Sequence, residues 1–228
     1  MDSELSSVAS IVALAIPAIL AITLHEAAHG YVALAFGDPT AKENGRLTLN
    51  PIRHIDLFGT ILLPALLMLA HSPLFGWAKP VPVDFGRLRN PKADMVWVAA
   101  AGPGTNLVLA IISALLFHTL LLFPEGWRLF LASMLTNSVL INVVLAIFNM
   151  IPLPPLDGGR VAVGLLPMPA ARALASTEKY GMFVLIFVLV VLPSVGSYMG
   201  VDLNIPARII TPVADAVVAM IAAMTGVN

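Results

Sequence analysis

The chain has 228 residues, of which 59% are hydrophobic and 11% charged, with a net charge of −1 and a mean hydropathy of +0.93. A soluble domain carries about a quarter charged residues, so most of this chain is composed for lipid rather than water, and its near-neutral balance excludes the basic field of a nucleic-acid-binding protein. With no cysteine, disulfides, thiolate metal sites and cysteine nucleophiles are excluded together, and any metal must be held by His, Asp or Glu.

The first residues are acidic, where a cleaved signal peptide would be positively charged. The apolar run 8–24 therefore reads as an uncleaved membrane helix that leads directly into His25-Glu26-Ala27-Ala28-His29. Helix is expected to continue to Phe36, with Gly37 as its C-cap and a kink at Pro17. From Val8 to Phe36 it would span roughly 44 Å. Residues 38–56 are polar, and the alternation in 45–50 before Pro51 predicts a short strand closed by a turn. The apolar run 57–70 is short and contains Pro64, which suits either a short span or a re-entrant hairpin. Residues 77–83 read as extended, with Pro80 and Pro82 confining them to a sheet edge or polyproline geometry.

Two long spans follow, at 95–123 and 127–151, antiparallel across the turn Pro124-Glu125-Gly126. A proline-rich break (Pro152, Pro154, Pro155) precedes Leu156-Asp157-Gly158-Gly159-Arg160. An amphipathic stretch covers 167–179, and 182–195 and 205–224 are the last apolar segments. No linker divides the chain, so 1–228 reads as one domain. The expected fold is a mainly α polytopic membrane bundle of about five to six segments with a small membrane-associated β element. If the N-terminus faces out and 57–70 does not cross, ten of the twelve Lys and Arg share one side: Lys42, Arg46, Arg53, Lys79, Arg87, Arg89, Lys92, Arg160, Arg172 and Lys179. Arg128 and Arg208 are left on the other side. The positive-inside rule makes the richer side cytoplasmic and favours the re-entrant reading of 57–70.

His25 and His29 are four apart and share one helix face, where two imidazoles can bind one cation. Glu26 lies beside the first histidine and can reach a metal-bound water without being a ligand, which is the His-Glu-x-x-His pattern of metallopeptidases. Zinc suits nitrogen and oxygen donors and keeps one position open for water. It lowers the pKa of that water and polarises a scissile carbonyl, while Glu26 takes the water's proton and passes it to the leaving amine. Two histidines make an incomplete site. Asp157, just after the proline break that ends a span, is the candidate third ligand. Ionisable groups inside a membrane segment are costly and rarely idle.

These residues resemble the site-two protease family of intramembrane metalloproteases. The matching pieces are His25-Glu26-Ala27-Ala28-His29 and the stretch from Asn149 to Arg160, Asn149-Met150-Ile151-Pro152-Leu153-Pro154-Pro155-Leu156-Asp157-Gly158-Gly159-Arg160. Between them, Leu49-Asn50-Pro51-Ile52-Arg53-His54 and Ala101-Gly102-Pro103-Gly104-Thr105-Asn106 are similar to the family's intervening segments. The resemblance implies one zinc ion per chain on His25, His29 and Asp157, with Glu26 as general base. It also implies a membrane-associated sheet that receives substrate, and an active site open to the cytoplasm at the cell membrane of a prokaryote. The implied partners are the bilayer and a membrane-protein substrate with a transmembrane segment. Many members carry a PDZ or nucleotide-binding regulatory domain; this sequence resembles a minimal core without either.

Asn149, Asn106 and His54 sit in matching segments and are candidate substrate-binding residues. Interhelical hydrogen bonding is the competing role for Asn106 and Asn142, and capping of a turn is the competing role for His54. Two other classes of function compete with proteolysis. A non-catalytic zinc- or helix-binding membrane protein would have no use for Glu26. A transporter with an ion path through the three ligands would need further charges in the later helices, where 182–195 has none.

Overall fold

A computed structural model of the chain describes residues 2–70, 72 and 76–227. Five helices are long and apolar enough to cross a membrane, and the protein is mainly helical. The first, α1, runs from Asp2 to Ala35. Pro17 lies inside it and has no N–H for the carbonyl of Ala13, one turn earlier. The side-chain amide of Asn137 donates to that carbonyl at 3.1 Å, so the gap in the helical ladder is filled from a neighbouring helix. Helix α1 ends one residue before the predicted Phe36. Gly37 takes φ +107°, a value side chains rarely adopt, and the Asp38 amide closes back on Ala33 O at 2.9 Å.

The segment 38–56 holds one helical turn, Thr40–Glu43, and a 3-10 turn, Pro51–His54. A short apolar helix, α2, spans Leu57–Leu69. The long helix α3 covers Pro91–Leu116 and tightens into a 3-10 extension, Phe117–Leu122. Next come α4 (Glu125–Asn149), α5 (Asp157–Leu165), α6 (Met168–Ala175), α7 (Glu178–Met199) and α8 (Ile205–Thr225).

Helices α1, α3 and α4 pack pairwise against one another, α5 lies against α3, and α8 packs on α4 and α3. Small residues let the backbones approach. Ala110 and Ala114 of α3, Val139 and Val143 of α4, and Ala214 and Ile221 of α8 form one buried cluster. The opposite faces carry large exposed apolar side chains such as Ile11, Leu129 and Phe183, as expected of surfaces solvated by lipid.

The predicted β element is not formed: no strand occurs among the described residues. The two segments expected to build it, 45–50 and 77–83, do approach each other. Lys79 N donates to His54 O at 2.8 Å, and the Arg46 guanidinium donates to Lys79 O at 3.0 Å. A ladder fails for a physical reason. Pro80 and Pro82 have no N–H to give, and the N–H of Val81 between them goes to the Glu26 side chain at 2.8 Å. In the other segment, Asn50 N turns to the hydroxyl of Thr48 at 3.1 Å.

Further contacts bring the returning chain back to the first turn of α2. Trp77 N donates to Gly59 O at 3.1 Å, and the Thr60 hydroxyl donates to Trp77 O at 2.8 Å. A Cβ on Gly59 would fall 2.5 Å from the Trp77 indole, so the glycine lets the returning chain lie against the entering one. The chain leaves for α2 and returns at the same place.

Candidate metal centre and active site

His25 and His29 project from one face of α1 toward α3 and α5. Their rings meet edge to face, with centroids 4.8 Å apart. Asp157 is the first residue of α5. Its approach depends on the glycines after it: a Cβ on Gly158 would lie 2.2 Å from Met150 O, and one on Gly159 would lie 2.2 Å from Pro154 N. The start of α5 therefore sits directly on the loop that leaves α4. This carries the carboxylate back to the level of the histidines.

Three atoms converge. His25 Nε2 and His29 Nε2 are 3.1 Å apart, and Asp157 Oδ2 is 3.1 Å from the first and 3.4 Å from the second. His25 and Asp157 are each 7% exposed. On the far side of each ring, Nδ1 faces an acceptor: His25 Nδ1 is 2.5 Å from Asn106 Oδ1, and His29 Nδ1 is 2.7 Å from Val98 O. An acceptor at Nδ1 requires the proton there, which leaves Nε2 of each ring with a bare lone pair.

Asp157 Oδ2 is buried without a hydrogen bond of sound geometry. Three electron-rich atoms within 4.8 Å of one another, with no proton between them, repel unless a cation sits among them. Two imidazole nitrogens and one carboxylate oxygen are the donors of a catalytic zinc site with a position left open, and the residues present fit that ion. Gly102 of α3 supplies the space, since a Cβ there would lie 2.5 Å from both Nε2 atoms.

Glu26 is half-buried, and its Oε2 accepts the Val81 N–H. Segment 79–84 is held to α1 at a second point, where the buried Asp38 carboxylate accepts from Asp84 N at 2.7 Å and Thr40 N at 2.9 Å, and from the Thr40 hydroxyl. Burial raises the Asp38 carboxyl, but the Thr40 hydroxyl and amide and the Asp84 amide, with the charge of Arg87, bring it below its ordinary value.

The other sequence candidates fall in different places. Asn106 is fully buried and bonds His25, Ala21 O and Asn142. His54 is buried, and its Nε2 donates to Thr48 O at 2.9 Å. Asn149, at the end of α4, is half-buried and donates to Leu145 O at 3.0 Å. Sequence reasoning missed Gly102, the Val98 carbonyl and the Val81 N–H as parts of the site. Gly102 was within reach because Gly102-Pro103-Gly104 interrupts an apolar span. The two backbone groups carry no sequence signal.

Residues 125–192 match the model of Peptidase family M50. YwhC of Bacillus subtilis, named a candidate zinc metalloprotease, is 43% identical over 193 residues, covering 82% of this chain and 83% of that protein. Rip2 of Mycobacterium tuberculosis, named in the same way, is 31% identical over 185 residues, covering 80% of this chain and 68% of its own length. Rip2 of Mycolicibacterium smegmatis is 29% identical over 181 residues, covering 79% and 67%. No solved structure matches the chain. With three side chains able to hold a metal gathered from α1 and α5 and a relative this similar over most of both lengths, the chain belongs to peptidase family M50, the site-two proteases.

Proposed function

We propose that this integral membrane zinc metalloprotease cuts peptide bonds in or beside the transmembrane segments of membrane-protein substrates, with His25, His29 and Asp157 as metal ligands and Glu26 as general base. The observation that carries the reading is the convergence of two imidazole nitrogens and a buried carboxylate oxygen within 4.8 Å, with Glu26 on the next residue of the same helix. When bound, zinc supplies Lewis-acid polarisation of the scissile carbonyl and acidifies the attacking water.

The chain's own groups do the rest. Glu26 accepts a proton from water and delivers it to the leaving amine. The Val81 N–H holds the Glu26 carboxylate in place. Asn106 and Val98 O hold the two rings so that both Nε2 atoms face the same point. Asn149, one turn before the proline-rich loop to Asp157, is the residue proposed to touch substrate.

A helical substrate conceals its amides, so cleavage needs a local extended segment. Segment 45–50 is the proposed docking edge, because 79–83 is blocked on one side by Pro80 and Pro82. Trp77, beyond the end of α2, lies against Gly59 and Thr60 in its first turn, which supports a re-entrant hairpin with 45–56 and 77–90 on the same side of the membrane. That side carries most of the Lys and Arg, so the active site opens to the cytoplasm of a prokaryotic cell. The whole of 1–228 acts as one domain.

The test is Glu26→Gln in the purified chain. Zinc content is expected to stay at one ion per chain while cleavage of a model transmembrane peptide is abolished. Cleavage by the variant at the wild-type rate would remove Glu26 from the reaction, and a wild-type chain that takes up no zinc would end the metal reading.

A further inference from the structure

His29 and His25 are oriented by different kinds of acceptor. His29 Nδ1 faces the backbone carbonyl of Val98, which cannot turn round and has no hydrogen. His25 Nδ1 faces a side-chain amide, which can rotate by half a turn and present NH2 in place of oxygen. The ligand at residue 25 therefore needs a further lock, and the bundle contains one.

We propose that Asn142 is a positioning residue for the metal centre: acting through Asn106, it fixes the proton of His25 on Nδ1 and so exposes Nε2. This rests on the zinc reading above. The chain of constraint starts at Ser138 O, which as a backbone carbonyl can only accept. The Asn142 amide lies 2.8 Å from it, so its NH2 must face Ser138. That turns Asn142 Oδ1 across the interface from α4 to α3, where it lies 2.8 Å from the Asn106 amide. An oxygen there demands the NH2 of Asn106, whose second N–H points to Ala21 O at 3.3 Å. Asn106 Oδ1 is thus left facing His25 Nδ1 at 2.5 Å, and the ring proton must reside on that nitrogen.

Asn106 is 0% and Asn142 1% exposed, so no solvent offers either amide another partner. If Asn142 is lost, the NH2 of Asn106 keeps only the long contact to Ala21 O. It can then turn its NH2 toward His25, driving the ring proton onto Nε2, where it blocks a metal.

The experiment compares zinc affinity, by chelator competition, in the full chain reconstituted in lipid nanodiscs. Asn142→Leu keeps the branched heavy-atom shape but neither accepts nor donates. It is expected to weaken zinc binding about 10- to 100-fold, the usual cost of losing a partner behind a metal ligand. Asn142→Asp is expected to bind close to wild type. Buried in this bundle its carboxyl stays protonated, gives its O–H to Ser138 O and accepts from Asn106 with the other oxygen. Ser138→Ala keeps the carbonyl and is also expected to match wild type. Asn142→Ala is made alongside, so that a folding failure of the leucine variant still leaves a test. Imidazole nitrogen NMR of the zinc-free chain is expected to place the His25 proton on Nδ1 in wild type and Asn142→Asp, and to show a mixture in Asn142→Leu.

Zinc affinity unchanged in both apolar variants, or lost equally in Asn142→Asp, overturns the relay. A wild-type chain without zinc affinity overturns the metal reading instead, and the nitrogen spectra then still decide the relay.

Discussion

Gly102→Ala separates the metal centre from the fold that carries it. The added Cβ would stand 2.5 Å from Nε2 of both His25 and His29, whereas ordinary contact begins at 3.4 Å. Each nitrogen must therefore retreat by about 0.9 Å, several times the ~0.2 Å that metal-ligand distances tolerate. Zinc affinity is expected to fall by at least about 10- to 100-fold. Fold stability moves in a different direction. Gly102 lies inside α3, where alanine is favoured over glycine by about 1 kcal/mol in helix propensity. The assay is zinc content and chelator competition on the purified variant, with helical circular dichroism and thermal unfolding of the zinc-free form as controls. A variant that binds zinc with wild-type affinity would refute the placement of the ion between the two Nε2 atoms.

Other perturbations address the groups around that centre. Val81→Pro removes the N–H that holds Glu26, while Val81→Ala keeps it. The proline variant is expected to lose about 100-fold in kcat relative to the alanine variant, at equal zinc content, and equal kcat values in the two would dismiss that hydrogen bond. Leu49→Pro is expected to lower cleavage of a membrane peptide and leave bound zinc unchanged; unaltered cleavage would count against docking along 45–50. Asp38 is held below its ordinary range, so its contribution to stability is complete above the unfolded value near pH 4 and is lost as pH falls through the lower folded value. The difference in unfolding midpoint between wild type and Asp38→Asn is therefore expected to be constant from pH 7 to about pH 5 and to shrink on acidification below about pH 4; a difference that ignores pH over that range would refute the assignment.

Much of the bundle was legible because lipid leaves so few options. Apolar runs of sufficient length must become helices that satisfy their own backbone, and the five spans fall where hydropathy places them. The spacing of His25 and His29 fixes their common face by helical geometry alone, whatever the remainder of the chain does. The strand expected at 45–50 failed because pairing is a property of two segments. Its alternation was sound, but the facing segment lacks N–H groups at Pro80 and Pro82 and gives the one between them, at Val81, to Glu26.

The sequence by itself determined the element type of each span, the relative placement of the two histidines and the absence of any thiolate ligand, since these follow from local periodicity and residue chemistry. Tertiary structure decided which distant groups complete the site. Asp157 reaches the histidines only because Gly158 and Gly159 let α5 settle on the loop after α4. The ring protons are set by Val98 O and Asn106, groups 69 and 81 residues from the imidazoles they hold. Such partners are chosen by close packing between helices, and packing leaves no period in a sequence.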